Sequence, residues 1–218
     1  MLKIIAGNVE LEGELTVPDG AAGIVLFAHG SGSSRFSTRN QFVANVIREA
    51  GIGTLLFDLL TRDEESVDTY TRHLRFDIGL LAERLVSATR WVKSEIGDFA
   101  VGYFGASTGG AAALVAAAQL GSEIKAVVSR GGRPDLAGDA LPKVTAPTLL
   151  IVGERDEPVI EMNRDAFDRL TCEKELRIVP RATHLFEEPG TLDEVAALAA
   201  EWFSRHLTTQ TRIHGGLS

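Results

Sequence analysis

From Ile24 onward the chain alternates short, continuous apolar runs with segments of helical spacing, and this alternation leaves few architectures open to it. Ile24–Ala28, Gly53–Phe57, Phe99–Phe104, Ile124–Ser129, Pro147–Val152 and Glu175–Val179 have the length of strands, most of them apolar enough to be covered on both faces. Between them run Thr38–Gly51, with Phe42, Val43, Val46 and Ile47 on one stripe, then about Phe76–Ile96, Ala111–Leu120, Val159–Leu170 and Leu192–His206. Strand, helix and strand in regular succession form a parallel sheet with helices on both faces and right-handed crossovers, so the expected class is α/β. Ahead of this, Leu2–Val17 alternates apolar and polar residues with Gly7 and Gly13 as breaks, which suits an antiparallel hairpin or meander at a sheet edge. Asp58–Arg72, polar and acidic, reads as a long surface loop.

Composition bounds the rest. At 218 residues, 44% hydrophobic and 24% charged, the chain suffices for one domain, read as residues 1–207, with 208–218 a tail that has little to pack. A net charge of -8 repels nucleic acid and anionic membranes. The single Cys172 excludes an internal disulfide framework and a cysteine-rich metal cluster. The first residues are soon interrupted by Asn8, Glu10, Glu12 and Glu14, too early for a signal-peptide core, and no run reaches transmembrane length. A cytoplasmic location is expected.

The most informative turn is Gly102-Tyr-Phe-Gly-Ala-Ser-Thr-Gly-Gly110, where a strand runs through Gly105-x-Ser107-x-Gly109 directly into a helix. A serine at such an apex suits a nucleophile elbow, because side chains at 105 and 109 would obstruct the close approach of strand and helix. A glycine-rich turn can also cradle a phosphate or serve as a plain connection. The spacing fits neither G-x-G-x-x-G nor the Walker pattern, since no lysine follows Gly110.

Partners elsewhere favour the nucleophile. A triad on such an elbow takes its acid and then its histidine from later in the chain. His184 follows the last strand on a loop, whereas His206 ends a helix and His214 lies in the tail. Asp156 follows the Pro147–Val152 strand and is preferred over Glu154 and Glu157, since a short carboxylate held by a turn orients an imidazole with less freedom lost. The backbone N–H groups of Ser31 and Thr108 match the two positions of an oxyanion hole, and His29 could tie the first of those loops.

Ala28-His-Gly-Ser-Gly32, Gly105-Ala-Ser-Thr-Gly109, Gly153-Glu-Arg-Asp-Glu-Pro-Val159 and Ala182-Thr-His184 together resemble the α/β-hydrolase superfamily, nearest to its dienelactone-hydrolase-like branch, across roughly residues 22–207. The resemblance implies an eight-stranded sheet and a Ser107-Asp156-His184 triad; no cofactor or metal is expected. Serine stands where true dienelactone hydrolases have cysteine, so their lactone is not carried over. With only Arg130–Ala146 between two strands where relatives insert a helical lid, an open site for short-chain esters or thioesters is expected. Lactonase, amidase or peptidase, acyltransferase and non-catalytic binding remain as alternatives. The pocket is drawn from Arg35, Phe36, Leu59, Arg130 and Arg133. The arginines could grip an anionic substrate group, but the preferred reading pairs them with Asp135 or nearby acids as loop ties.

Overall fold

The computed structural model describes residues 2–207, so the tail 208–218 lies outside the described residues. Among the described residues eight strands form one sheet: β1 (Leu2–Ala6), β2 (Val9–Thr16), β3 (Gly23–Ala28), β4 (Gly53–Phe57), β5 (Ala100–Ala106), β6 (Ile124–Arg130), β7 (Thr148–Gly153) and β8 (Lys174–Val179). Their spatial order is β1-β2-β4-β3-β5-β6-β7-β8. The hairpin β1-β2 is antiparallel, β2 pairs antiparallel with β4, and β3 to β8 are parallel. Gly13 is no break. It sits within β2 opposite Phe57, where an added Cβ would lie 3.1 Å from the Phe57 Cβ, so its small size serves packing.

Among the described residues there are six α-helices, α1 (Thr38–Glu49), α2 (Arg62–Thr71), α3 (Ile78–Trp91), α4 (Thr108–Leu120), α5 (Glu157–Arg169) and α6 (Thr191–His206), of which all but the surface helix α2 pack on the sheet. Alternate residues of β3 divide the core between the two faces, as the twofold period of a strand requires. Leu26 and Ala28 join Leu81, Leu85 and Leu114 from α3 and α4, whereas Val25 and Phe27 join Val43, Ile47 and Phe203 from α1 and α6. Each large apolar side chain so buried contributes about 1.5–3 kcal/mol relative to exposure.

Two stretches differ from the sequence expectation. Asp58–Arg72 is not a long loop, because α2 occupies most of it. A reciprocal capping box starts that helix: Glu64 N–H donates to Thr61 Oγ1, and Thr61 N–H donates to the Glu64 carboxylate. The signature Thr61-x-x-Glu64 was in the sequence, but the helix has few apolar residues to mark a period. The helix predicted over Phe76–Ile96 runs from Ile78, capped by the Asp77 side chain, and widens into a π-turn at Val92–Ile96. Between β6 and β7 the chain makes only short 3-10 turns over Pro134–Lys143, with no lid domain.

Candidate active site

Every polar group predicted for the site leaves the carboxyl end of a parallel strand, where open α/β sheets place their ligands. Ser31 follows β3, Ser107 follows β5, Arg130 ends β6, Asp156 follows β7 and His184 follows β8.

Ser107 has φ 52° and ψ -121°, a conformation that costs a non-glycine residue about 1–3 kcal/mol. Its surroundings enforce it. A Cβ on Gly105 would meet the Gly109 carbonyl oxygen at 2.5 Å, and one on Gly109 would run into the Ala28 and His29 carbonyls. The Ser107 carbonyl accepts from Gly110 N–H at 3.0 Å and Arg133 N–H at 3.1 Å, and its own N–H donates to the Arg130 carbonyl. Thr108 is the first residue of α4, so the helix offers its N–H no acceptor and turns its positive end toward Ser107.

His184 Nδ1 and Asp156 Oδ2 are 2.6 Å apart. The rival carboxylates are elsewhere: Glu154 accepts from Arg181 N–H at 2.7 Å, and Glu157 is an exposed residue in the first turn of α5. Backbone bonds from Glu154 N–H to Val179 and from Arg155 N–H to Ala182 lock the acid loop against the histidine loop. Thr183 N–H donates to Glu188, whose carboxyl is held below its ordinary range by that contact.

Ser107 and His184 open on one cavity of about 280 Å³, shared with Ser31, Arg39, Asn40 and Arg130. On the other side of the Ser31 loop a cavity of about 20 Å³, room for one water, is bordered by His29, Leu59, Asp68, Arg75 and Thr108. Leu59 therefore lies behind the loop rather than beside the nucleophile. Arg35 does not line the Ser107 cavity: it is buried against Asp58 and Glu12, and it lies under the exposed Phe36 ring at 4.2 Å. Arg133 makes a two-pronged pair with Asp135 at 2.9 and 2.7 Å. Arg130 departs from the expected loop tie. Its Nη2 donates to Asn40 Oδ1 at 3.3 Å, and among the described residues no carboxylate pairs with it. Burial pulls its pKa down to about 10, with Arg39 adding to the shift, so it stays a cation at neutral pH. Arg39 and Asn40 escaped sequence reasoning. The one signal was that Asn40, a polar residue, falls in register with the apolar stripe of Val43, Ala44 and Ile47, all of which the fold buries.

His29 is wedged between two loops. Leu59 N–H donates to Nε2 at 3.0 Å, which leaves Nδ1–H to donate to the Gly30 carbonyl at 3.0 Å and fixes the neutral tautomer. Burial pulls the pKa below its ordinary 6.5, outweighing the Gly30 carbonyl and the Asp58 and Glu65 charges. The folded-state value lies below the unfolded one, so the unfolded chain takes up the proton first as pH falls. The His29 contribution to stability is thus present above about pH 6.5 and is lost as pH falls from there toward the lowered folded value. Urea midpoints at about pH 5 and about pH 7.5 will show a steeper acid loss in the wild type than in His29→Gln; equal slopes would exclude His29 as the source.

A strained serine at a strand-to-helix turn thus shares a cavity with a histidine bonded to a carboxylate, and comparison with known proteins places the chain in a family. Residues 11–212 match the dienelactone hydrolase family. The chain belongs to that family. A dienelactone hydrolase structure from Anabaena variabilis ATCC 29413 is 61% identical, with a TM-score of 0.91 over 94% of this chain and 96% of that one. Est1E from Butyrivibrio proteoclasticus, 17% identical with a TM-score of 0.78 over 94% of this chain and 97% of its own, shares the fold. Proteins of two Mycobacterium tuberculosis strains, provisionally named as a phosphoribosyl transferase, are 56% identical over 94% of this chain. This chain spans only 46% of their length, so their name describes much longer proteins. Family and fold together make the chain an α/β hydrolase. Among the described residues no helix is long and apolar enough to cross a membrane.

Proposed function

We propose that this family member hydrolyses carboxylic esters or thioesters through an acyl-enzyme on Ser107. The observation that carries the reading is the strained Ser107 opening on the same cavity as a His184 already bonded to Asp156. His184 Nε2 takes the proton as Ser107 Oγ attacks the carbonyl carbon, and Asp156 holds the ring and stabilises the imidazolium. The N–H groups of Ser31 and Thr108 receive the oxyanion. Collapse breaks the bond to the alcohol or thiol, which leaves with the proton from His184. Water then repeats the sequence on the acyl-enzyme and frees the acid. Labelling with a fluorophosphonate, followed by peptide mapping, tests the reading: modification of Ser107, lost in His184→Ala, supports it, and an unlabelled Ser107 refutes it.

Short acyl chains are favoured. Each buried methylene gains up to about 0.8 kcal/mol, but only against apolar wall. The Ser107 cavity is lined mainly by polar residues, among them Ser31, Arg39, Asn40 and Arg130, with only the Ala106 and Leu185 side chains as apolar wall, and the cavity behind it holds no more than a water. Across 4-nitrophenyl esters from acetate to palmitate, kcat/KM is expected to peak at four carbons or fewer, roughly where polar lining stops rewarding length. A maximum at about eight carbons or beyond would show a hidden acyl channel.

A further inference from the structure

Ser107, Asp156 and His184 follow three different strands, so the distances between them depend on what joins the chain beyond the strand ends. Residues 130–133 make that junction. Ser107 N–H donates to the Arg130 carbonyl at 3.3 Å and Arg133 N–H donates to the Ser107 carbonyl at 3.1 Å, so both backbone groups of the serine are held by this loop. Gly131 N–H donates at 2.7 Å to the Ile151 carbonyl of β7, the strand that leads to Asp156. Gly131 also lies against His184: an added Cβ would come within 3.1 Å of the His184 carbonyl and 3.6 Å of its ring Cε1. One side chain holds the remaining residue of the loop. Asn163, fully buried in α5, the helix that starts directly after Asp156, donates from Nδ2 to the Gly132 carbonyl at 3.1 Å and to the Val159 carbonyl at 2.8 Å. Both neighbours are acceptors, which fixes the amide nitrogen on this side. Its Oδ1 has no hydrogen-bond partner among the described residues. The other buried residues of α5 are Val159 and Ala166, so an apolar side chain would suit this stripe, and a half-satisfied amide within it is costly. The cost has a reason if the bond to Gly132 serves the site rather than the core.

We propose that Asn163 is a positioning residue: by tying α5 to the Gly132 carbonyl, it sets how far the Asp156–His184 pair stands from Ser107. It touches no reacting atom and acts through residues 130–133. The catalytic consequence rests on the hydrolase reading, while the tie itself does not. The competing role is plain support of the core, which shows in stability alone.

Asn163→Leu keeps the size of the side chain and removes the donor. In single-turnover experiments with 4-nitrophenyl acetate, the saturating acylation rate constant is expected to fall about 10- to 100-fold, the effect of a displacement of about 1 Å, with the half-saturating concentration unchanged. Fluorophosphonate labelling of Ser107 slows by the same factor. The pH midpoint of acylation stays at its wild-type value, because the acid and histidine loops are bonded to each other and move together. If Asn163→Leu fails to fold by circular dichroism, Asn163→Ala carries the test with the same expectations. Amide hydrogen exchange followed by NMR reads the tie without turnover: the Arg133 amide, which donates to Ser107, loses protection in the variant while the amides of β5 keep theirs. A lower Tm with acylation and Arg133 exchange unchanged assigns Asn163 to the core and overturns the proposal; so does a shifted pH midpoint, which moves its action to the Asp156–His184 contact. Loss of Arg133 protection in the variant, when wild-type Ser107 takes no label, upholds the tie and refutes the hydrolase reading. A labelled wild type whose Asn163 variants react at the wild-type rate does the reverse.

Discussion

Ser107→Ala is expected to lower 4-nitrophenyl acetate hydrolysis by about 10⁴- to 10⁶-fold, with His184→Ala similar and Asp156→Asn near 10⁴-fold. The losses do not add, because in the proposed mechanism the proton transfer to His184 has no purpose without the Ser107 oxygen, and Asp156 acts only through the ring it meets at 2.6 Å. A Ser107→Ala, His184→Ala double variant should therefore match the worse single one within about an order of magnitude. Ser107→Gly separates chemistry from fold. It is equally inactive, but it relieves the positive φ of 52° and is expected to be more stable than the wild type by about 1–3 kcal/mol, read as a higher urea midpoint. Ser107→Ala with near-wild-type turnover would remove the serine from the mechanism. A larger loss at Glu154 than at Asp156 would move the acid alone.

Gly109→Ala is the second large effect, on stability rather than rate. Its methyl group would occupy the space of the Ala28 carbonyl, and neither β3 nor the start of α4 can retreat, since each is packed in the sheet core. Overlap with backbone has no cheap relief. We expect a loss of more than about 4 kcal/mol. At about 2–4 °C per kcal/mol for a chain of this size, Tm falls by at least about 8–16 °C or the protein does not accumulate folded. Gly7→Ala is the control. Gly7 has a positive φ, 65°, which Gly109 does not, but an added Cβ there meets nothing within 4 Å, so only the backbone penalty of about 1 kcal/mol is expected. Scanning calorimetry of the two variants decides it: equal losses would mean that close approach at the elbow is not the reason for glycine at 109.

The residues themselves determined the parallel sheet, because a strand buried on both faces must be continuously apolar, as β3, β4 and β7 are, and because periodicity is a local property. The elbow was legible for the same reason: Gly105, Ser107 and Gly109 are neighbours in sequence as well as in space. Helix α2 was missed although its capping box was written out, since a surface helix has little apolar stripe to reveal it. The choice of Asp156 over Glu154 depended on a contact with His184, 28 positions away, to which sequence offered only a preference. The arginines mark the limit. Arg35, Arg130 and Arg133 are indistinguishable as residue types near a loop, but their charge is neutralised by groups that the fold brings from elsewhere. Asp58 and Glu12 reach Arg35, Asp135 reaches Arg133, and for Arg130 the sheet brings only Asn40, 90 positions distant, and the open side of the Ser107 cavity. Covalent neighbours set the elements, whereas the partner of a buried charge is set by where strands end in three dimensions, and only the tertiary structure could decide that.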